Sequence, residues 1–340
     1  MQADLTTGLP STQDPRLVRS DLCVFSQDWW LNYARRFSEY RELRVAHGSQ
    51  VVGRLPFVLR KNWLGLARCQ EPYWSHLGGP ILDLGLDRAE QAEVIRLLLE
   101  QLPRWASFHF VCDPNSSYAD LTRDAFRDAG FKHSTQVTYV RFPDEGEVLS
   151  TRKSKHRGHL KRAAKGLECA DVSAQEFFQF FKKNLMARGK RSYAPLEILP
   201  GLIEEAISRG CARAIAAKPN SPGGPGTSDQ GLPYDAAIVY LWDSSRCYYW
   251  LSTRRISFGG DPALKPHPDA VKLLAVTAME HAQAMNLAFD ADGAETPGSD
   301  NLYRNMFGLR NQQLRDVFRR SNTIERLYQR SKRRIAQKRR

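Results

Sequence analysis

Residues 234–255 read YDAAIVYLWDSSRCYYWLSTRR, and this stretch decides the fold. It contains two short apolar runs, 234–242 and 247–255, rich in the β-branched and aromatic residues that strands favour. A third strand-like run, CARAIAAK at 211–218, precedes them across a loop rich in Gly, Pro and Ser. The apolar-periodic segment at 268–285 predicts a long helix with proline in its first turn.

The order of elements around this stretch recurs in the first half of the chain. After the long helix we predict a strand at 286–292, a helix at 300–308 and a strand at 314–320. The first half has the same succession: strands at 40–47 and 51–60, a helix from Arg88, a strand at 107–114, a helix at 118–130 and a strand at 134–142. Residue identity between the halves is slight, so the architecture alone is repeated. Strands alternating with helices predict an α/β fold, with a mixed sheet flanked by helices in each half.

Length and composition favour two cytoplasmic domains. The chain has 340 residues, 42% of them apolar, which is enough for two cores of about 150 residues each. No apolar run approaches the roughly 20 residues that span a bilayer, and the first twenty residues lack a secretory signal. The six cysteines are scattered, which disfavours disulfides and a metal site. We predict a loose leader (1–20), a first lobe (21–146), a basic connecting helix (147–170), a second lobe (171–322) and a basic C-terminal helix or tail (323–340).

Positive charge is concentrated in two segments. The formal net charge is +13, and residues 152–165 hold seven Lys and Arg residues with no acid among them. A second basic run begins at Arg326. Such runs indicate a polyanionic partner, namely tRNA, a phosphorylated substrate or an anionic membrane surface. The predicted contacts on the first run are Lys153, Lys155, Arg157, Lys161 and Arg162. A solvated linker face and a disordered tail are the alternatives.

Three segments resemble the FemAB-like peptidyltransferases and their GCN5-related N-acetyltransferase (GNAT) relatives. They are VFSQDWWLNYA (24–34), RKSKHRGHLKRAAKGLE (152–168) and AFDADGAETPGSDNLYRNMFG (288–308). The resemblance covers roughly residues 22–320 and depends on the order and spacing of these segments. It implies two tandem GNAT-like lobes and transfer of an activated acyl group to an amine, with a peptidoglycan-type acceptor. The glycine pattern of acetyl-CoA-using relatives is missing from 254–269.

The segment between the aromatic strand and the long helix is the predicted donor or anion site. A helix N-terminus presents unbonded backbone N–H groups and partial positive charge, which favour a phosphate or carboxylate. The predicted contacts are Ser252, Arg254, Gly259, Gly260, Lys265 and His267. The alternative is a solvent loop with capping residues.

Three residues near the end of the second lobe are the predicted catalytic groups. Asp290 and Asp292 lie two apart at the end of a strand, so both carboxylates can face one substrate. Either can act as general base toward an amine, and the alternative is that one caps the following turn. Tyr303 can donate its hydroxyl to a tetrahedral intermediate, or it packs in the core together with Phe307.

The remaining predicted site residues form an acceptor groove: Trp74, His76, Trp250 and Arg304. For His76 a structural role is the alternative. No catalytic triad with an elbow turn, P-loop or Rossmann glycine pattern is present, which excludes hydrolase and nucleotide-triphosphatase readings.

The sequence therefore predicts an acyl- or aminoacyl-transferase with no tightly bound cofactor and no metal. Its co-substrate would be acyl-CoA, an acyl-carrier thioester or aminoacyl-tRNA, and the acceptor amine would lie in the second lobe or between the lobes. The alternative is a non-catalytic protein that binds nucleic acid or an anionic membrane surface on the same scaffold. We expect a cytoplasmic location, with peripheral attachment to the inner membrane face as a variant of it.

Overall fold

The computed structural model describes residues 2–6, 22–61, 65–150, 152, 154–192, 194–220, 234–256, 265–293 and 296–322. The predicted C-terminal tail and almost all of the predicted leader lie outside these ranges. The chain divides into two compact units. Unit 1 comprises Met1–Gln136 and Leu314–Arg340, and unit 2 comprises Val137–Gln313.

Unit 1 is a mostly antiparallel sheet with helices. Its elements are β1 (Gln2–Thr6), α1 (Asp28–Arg35), β2 (Tyr40–His47), β3 (Gln50–Lys61), β4 (Ala67–Gln70), β5 (Ile81–Leu82), α2 (Arg88–Glu100), β6 (Ser107–Cys112), α3 (Ala119–Asp128), the start of β7 (Lys132–Arg141) and most of β13 (Asn311–Arg320). The strand order is β1-β2-β3-β4-β6-β13, and β5 pairs with β3. Strands β4 and β6 pair in parallel.

The core of unit 1 forms where α2 and α3 cover one face of this sheet. Alternate residues of a strand face opposite sides, and Phe108 and Phe110 of β6 are accordingly buried beside Phe126 of α3. Helix α2 begins with a capping box in which Asp87 and Glu90 satisfy each other's backbone N–H groups, because the first N–H groups of a helix have no partner within it. The apolar face of α2 buries Val94 and Leu98.

Unit 2 repeats this plan. Its elements are the end of β7, α4 (Ser154–Gly166), β8 (Leu167–Asp171), α5 (Ala174–Ala187), α6 (Leu199–Ser208), β9 (Ala212–Pro219), β10 (Ala236–Trp242), β11 (Arg246–Arg254), α7 (Ala270–Ala284), β12 (Ala288–Asp290), α8 (Pro297–Asn301), a π-helical turn (Leu302–Met306) and the start of β13. The strand order is β7-β12-β11-β10-β9-β8. Strands β8 to β11 form an antiparallel meander, and β12 joins β11 in parallel after the crossover through α7.

Strand β10 lies at the centre of the unit 2 core. Its residues from Ala236 to Leu241 are 0% exposed, which explains a continuous apolar run in place of alternation. Helix α7 packs Leu274, Ala278 and Met279 into the same cluster. A β-bulge interrupts the pairing of β10 with β11 between Val239 and Tyr240.

The structure confirms the mixed α/β class and the repeated order of elements. It adds three strands that the sequence did not predict, β1, β4 and β5. The unit boundaries differ from those of the predicted lobes, because 314–320 of the last strand belong to unit 1. There β13 pairs with β6 from Asp316 to Arg320. Within the described residues, no helix is both long enough and apolar enough to cross a membrane.

Replacing Gly53 by Ala is expected to lower the free energy of unfolding by about 1–3 kcal/mol, because the added methyl group would overpack the core. Gly53 lies on β3, where an added Cβ would overlap Val94 of α2 and meet Leu82 at 3.4 Å. The stiff valine has few ways to withdraw. Urea unfolding checks the value.

Gly158→Ala is the matched control for this variant. Gly158 lies in α4 with nothing within 4 Å of an added Cβ, so alanine should stabilise the helix by about 0.5–1 kcal/mol. A Gly53→Ala protein as stable as wild type would contradict the packing described for β3 and α2.

Candidate functional site

Strand β11 continues well beyond the end of its parallel neighbour β12. The two strands pair only from Arg246 to Tyr248 of β11, opposite Ala288 to Asp290 of β12. Strand β11 then runs on to Arg254, and none of the described strands pairs with it on that side past Tyr248. We call residues 249–254 the β11 extension. A strand edge of this kind can accept an extended ligand through main-chain hydrogen bonds.

Asp290 ends β12 as a buried structural residue. It is 0% exposed, and its Oδ2 accepts a hydrogen bond from Arg246 Nη1 at 3.0 Å. Its Oδ1 accepts from the Thr138 hydroxyl and, at 2.8 Å, from the Asp292 backbone N–H. Because both oxygens are engaged away from solvent, the predicted role of Asp290 as a general base in contact with substrate is wrong.

The chain turns sharply directly after Asp290. Asp292 has φ 66° and Gly293 has φ 95°, and the left-handed region that a bulky residue avoids is tolerated by aspartate and glycine. The Gly293 N–H donates to the Thr138 hydroxyl at 3.1 Å. Since the strand has already ended, the two carboxylates do not share one strand face as predicted. Asp292 is partly exposed and remains a candidate.

Tyr303 follows the Asp292–Gly293 turn in the chain and lies in a cluster of aromatic side chains. It belongs to the π-helical turn and is 9% exposed. Its ring centroid lies 6.4 Å from that of Tyr249, the first residue of the β11 extension, and 5.7 Å from that of Phe307. Burial raises the pKa of Tyr249. The structure therefore brings the ring of Tyr303 close to the first residue of the β11 extension.

Two contacts that sequence reasoning missed fix the helix that carries Tyr303. The Tyr139 hydroxyl donates to the carboxylate of Asp300 and accepts from Gln312 Nε2 at 2.9 Å. Arg152 Nη1 donates to the Met306 carbonyl at 2.7 Å. Burial, helped by the nearby charge of Arg141, lowers the pKa of Arg152 to about 10. In the sequence Arg152 was only one cation of a basic run predicted to contact a polyanion. In the structure its side chain is buried, with 4% exposed.

The predicted anion segment is partly described. Ser252 is exposed, and Arg254 Nη2 donates to the Pro266 carbonyl at 3.3 Å. The His267 N–H donates to Asp235 at 2.8 Å, and Asp235 also pairs with Arg255. Lys265 is exposed, and Gly259 and Gly260 lie outside the described residues. Of this group, Arg254 and His267 are both held close to the start of α7.

The N-terminus of α7 already carries a carboxylate. Asp269 is its N-cap residue and is 4% exposed. It pairs with Lys272, and its Oδ2 lies 3.4 Å from His159 Nδ1. Although burial opposes the effect, the hydrogen bond and charge of Lys272 lower the pKa of Asp269. The side chain of Asp269 forms no cap hydrogen bond to the helix, but its negative charge disfavours a second anion beside the same N-terminus.

The predicted acceptor groove is not formed as expected. Trp74 is 1% exposed and Trp250 is 4% exposed, so both tryptophans are core residues and their prediction as groove residues is wrong. His76 stacks on Phe25 with ring centroids 5.6 Å apart. Arg304 of unit 2 is exposed and lies 4.0 Å from Asp300, so it remains a candidate contact.

Helix α4 confirms the predicted basic helix and shows which of its cations face solvent. Leu160 and Ala163 are its buried residues. Its exposed cations are Lys155, Lys161, Arg162 and Lys165. Arg157 is partly buried and donates to the Arg152 carbonyl at 2.7 Å, and Lys153 lies outside the described residues.

No three His, Cys, Asp or Glu side chains are grouped as metal ligands in the described ranges. The predicted absence of a metal is not tested by this and stays a prediction.

No protein-family model matches the sequence, and no curated protein matches it. Solved structures match at low identity. The crystal structure of FemX is 14% identical with a TM-score of 0.54, covering 87% of this chain and 92% of that chain. The C-terminal domain of a putative lysylphosphatidylglycerol synthetase from Agrobacterium fabrum is 12% identical with a TM-score of 0.53, covering 84% and 86%. A tandem GNAT protein from the clavulanic acid biosynthesis pathway is 12% identical with a TM-score of 0.46, covering 85% and 86%.

FemX and the Agrobacterium domain, which match with TM-scores of 0.54 and 0.53, define the fold of the chain. The chain has the FemAB-like, GNAT-type fold that the sequence predicted. At these identities the likeness establishes the fold alone, and the function has to be argued from the site.

Proposed function

We propose that the protein is an acyl- or aminoacyl-transferase whose activated donor lies along the β11 extension in unit 2. The observation that carries the proposal is the early end of β12 at Asp290, which opens that side of β11 from Tyr249 onward. The unpaired main-chain N–H and C=O groups of such an edge can hydrogen-bond to the acyl end of a donor and place its carbonyl at the mouth of the opening.

Tyr303 is the proposed catalytic hydroxyl. Its position beside Tyr249 places it under the β11 extension, where it can donate a proton to the leaving group as the tetrahedral intermediate collapses. The acceptor nitrogen bonds to the donor carbonyl carbon to form this intermediate, and on its collapse the bond from that carbon to the leaving oxygen or sulfur breaks. The amine proton leaves to a base, for which Asp292 is the proposed group.

The charges favour aminoacyl-tRNA over acyl-CoA as the donor. The carboxylate of Asp269 lies beside the α7 N-terminus, and its negative charge would oppose a CoA-type pyrophosphate there. The exposed cations of α4, by contrast, form a helix face without acids. Such a face can neutralise the backbone phosphates of a nucleic acid. Arg254 and His267 are the proposed contacts to the donor end, and Arg304 to the acceptor.

One observation favours the second candidate, a non-catalytic binder. The exposed face of α4 depends on no part of the β11 extension and would attract an anionic membrane as well as RNA. The similar Agrobacterium domain is named after a lipid product, lysylphosphatidylglycerol. Under this alternative the fold serves as a scaffold and Tyr303 has no chemical role.

The two candidates are separated by supplying labelled aminoacyl-tRNA or labelled acetyl-CoA together with a panel of simple amines. The proposal predicts protein-dependent transfer of label from aminoacyl-tRNA to an amine. tRNA binding without transfer from either donor would contradict it and favour the binder.

The same tRNA should lose affinity in a variant that carries K155Q, K161Q, R162Q and K165Q. Each lost phosphate contact reduces the slope of log affinity against log salt by about 0.7–0.9, so the slope should fall by roughly 3. The matched control changes four exposed cations of unit 1 to Gln, namely Arg88, Arg96, Arg127 and Lys132. An equal loss in both variants would contradict a specific role for α4.

A further inference from the structure

One end of the unit 1 sheet carries a row of polar side chains on a single face. Arg68 of β4 pairs with Ser107 of β6, and His109 pairs with Arg319 of β13. Ser107 and His109 are two residues apart on β6, so they and their partners share a face. Ser321 follows Arg319 at the same spacing. The opposite face of these strands is the apolar core, which contains Phe108 and Phe110.

These side chains line a cleft of about 260 Å³. The lining residues are Arg68, Ser107, Phe108, His109, Arg319, Arg320 and Ser321, and none of these described residues is acidic. We call it the arginine cleft.

A further cation lies beside the arginines of the arginine cleft. Arg60 of β3 lies directly opposite Arg68, and like charges in opposed positions of an antiparallel pair are destabilising. Within the described residues, Arg68 and Arg319 form no ion pair with a carboxylate. Such convergence costs free energy in the empty protein, and an anion in the cleft would offset it.

Arg320 also lines the arginine cleft, but its guanidinium is engaged by neighbouring rings and a backbone carbonyl and stabilises the strand. Its guanidinium lies 4.7 Å from the ring centroid of Phe108 and 4.8 Å from that of Phe131, and it donates to the Pro103 carbonyl at 3.3 Å. The anion-facing arginines are therefore Arg68 and Arg319, each exposed.

His109 lies between them as a neutral acceptor. Burial, followed by the charges of Arg319 and Arg68, lowers the pKa of His109 to about 4. Its Nε2 therefore accepts from Arg319 Nη2 at 3.3 Å, which orients that guanidinium. The other charged group facing the imidazole is Glu71, whose Oε2 lies 4.0 Å from Nδ1.

We propose that the arginine cleft is a binding site for a phosphate group, held by Arg68 and Arg319 with a hydroxyl donor from Ser321, since the Ser107 hydroxyl donates to the Ala67 carbonyl at 3.3 Å. Arginine matches phosphate because its planar fork donates two parallel charge-assisted hydrogen bonds. The cleft belongs to unit 1, so this site is independent of the transferase site proposed in unit 2. The phosphate can belong to a soluble ligand or to a lipid headgroup, which offer the same chemistry.

The test compares wild type with Arg68→Gln/Arg319→Gln in two assays. Calorimetric titration with inorganic phosphate and pyrophosphate probes soluble ligands, and sedimentation with phosphatidylglycerol or phosphatidylcholine vesicles probes headgroups. We expect the Kd to rise at least about tenfold in the double variant, since two charge-assisted contacts are lost. The control, Arg96→Gln/Arg127→Gln, removes the same charge from exposed helix positions of unit 1 and should bind as wild type.

Each outcome decides the proposal. If the cleft variant loses phosphate or pyrophosphate binding and the control variant keeps it, the proposal is supported and the ligand is soluble. Loss of phosphatidylglycerol binding alone supports it with a headgroup source. Equal binding by both variants, or no binding of any probe by wild type, overturns it.

A second measurement uses the unaltered protein and so survives poor folding of the variant. The imidazole resonances of His109 report its pKa, which an anion between Arg68 and Arg319 should raise because it favours the protonated ring. Saturating pyrophosphate that leaves the His109 titration unchanged would place any binding elsewhere and overturn the assignment.

Discussion

Replacing Asp290 by Ala is expected to destabilise the protein by about 3–5 kcal/mol, because the change leaves the buried cation of Arg246 without a partner. Asp290 is 0% exposed, and its side chain is bound by Arg246, Thr138 and the Asp292 N–H. Asp290→Asn, which keeps the shape and some acceptors, should cost less. Urea unfolding at neutral pH measures all three proteins.

The matched control is Asp124→Ala on the exposed face of α3. Asp124 pairs with Arg127 at 3.0 Å, but both side chains are largely exposed, so the loss should stay within about 0.5 kcal/mol. If Asp290→Ala unfolds at the wild-type urea concentration yet loses transfer activity, the structural role assigned to Asp290 is refuted and the catalytic one is restored.

Replacing Tyr303 by Phe should reduce the rate of acyl transfer about 100-fold or more, the usual contribution of a positioned general acid. The ring is retained, so its packing against Tyr249 and Phe307 persists. We expect the loss in kcat, with the donor KM nearly unchanged, because the hydroxyl acts on charge that develops in the transition state. Steady-state kinetics with labelled aminoacyl-tRNA provide the measurement.

Tyr118→Phe is the control for Tyr303→Phe. The Tyr118 hydroxyl of unit 1 donates to the Pro80 carbonyl at 3.1 Å, so its removal should cost about 1 kcal/mol of stability and leave kcat intact. A Tyr303→Phe enzyme with wild-type kcat would show that Tyr303 is only a packing residue, as the alternative reading of the sequence held.

Most of the fold could be predicted because local signals agree with it. The run at 40–47 became β2 with the same bounds, and the helix predicted at 118–130 is α3 at Ala119–Asp128. The short strands β4 and β5 carry no period of their own. They form because β3 offers them a partner, and single-sequence patterns do not contain that information.

The site was harder to predict because its geometry depends on distant partners. The two-residue spacing of Asp290 and Asp292 suggested a shared strand face, but the strand ends at Asp290 and the chain turns at φ 66°. Arg246 lies 44 residues from Asp290 in the chain, and nothing local marks the pair. Aromatic residues beside glycines suggested a ligand groove, but Trp74 is buried in the core. The catalytic role of Tyr303 stays a prediction, to which the structure adds that its ring lies 6.4 Å from that of Tyr249.

The central claim is that the donor lies along the β11 extension, and hydrogen-exchange mass spectrometry tests it most directly. The probe is tRNA carrying an amino acid through a stable amide linkage. The account predicts slower exchange in peptides covering 249–254, with β9 at Ala212–Pro219 unchanged as the internal reference. Slower exchange confined to α4, with 249–254 unaffected by the bound probe, would contradict it.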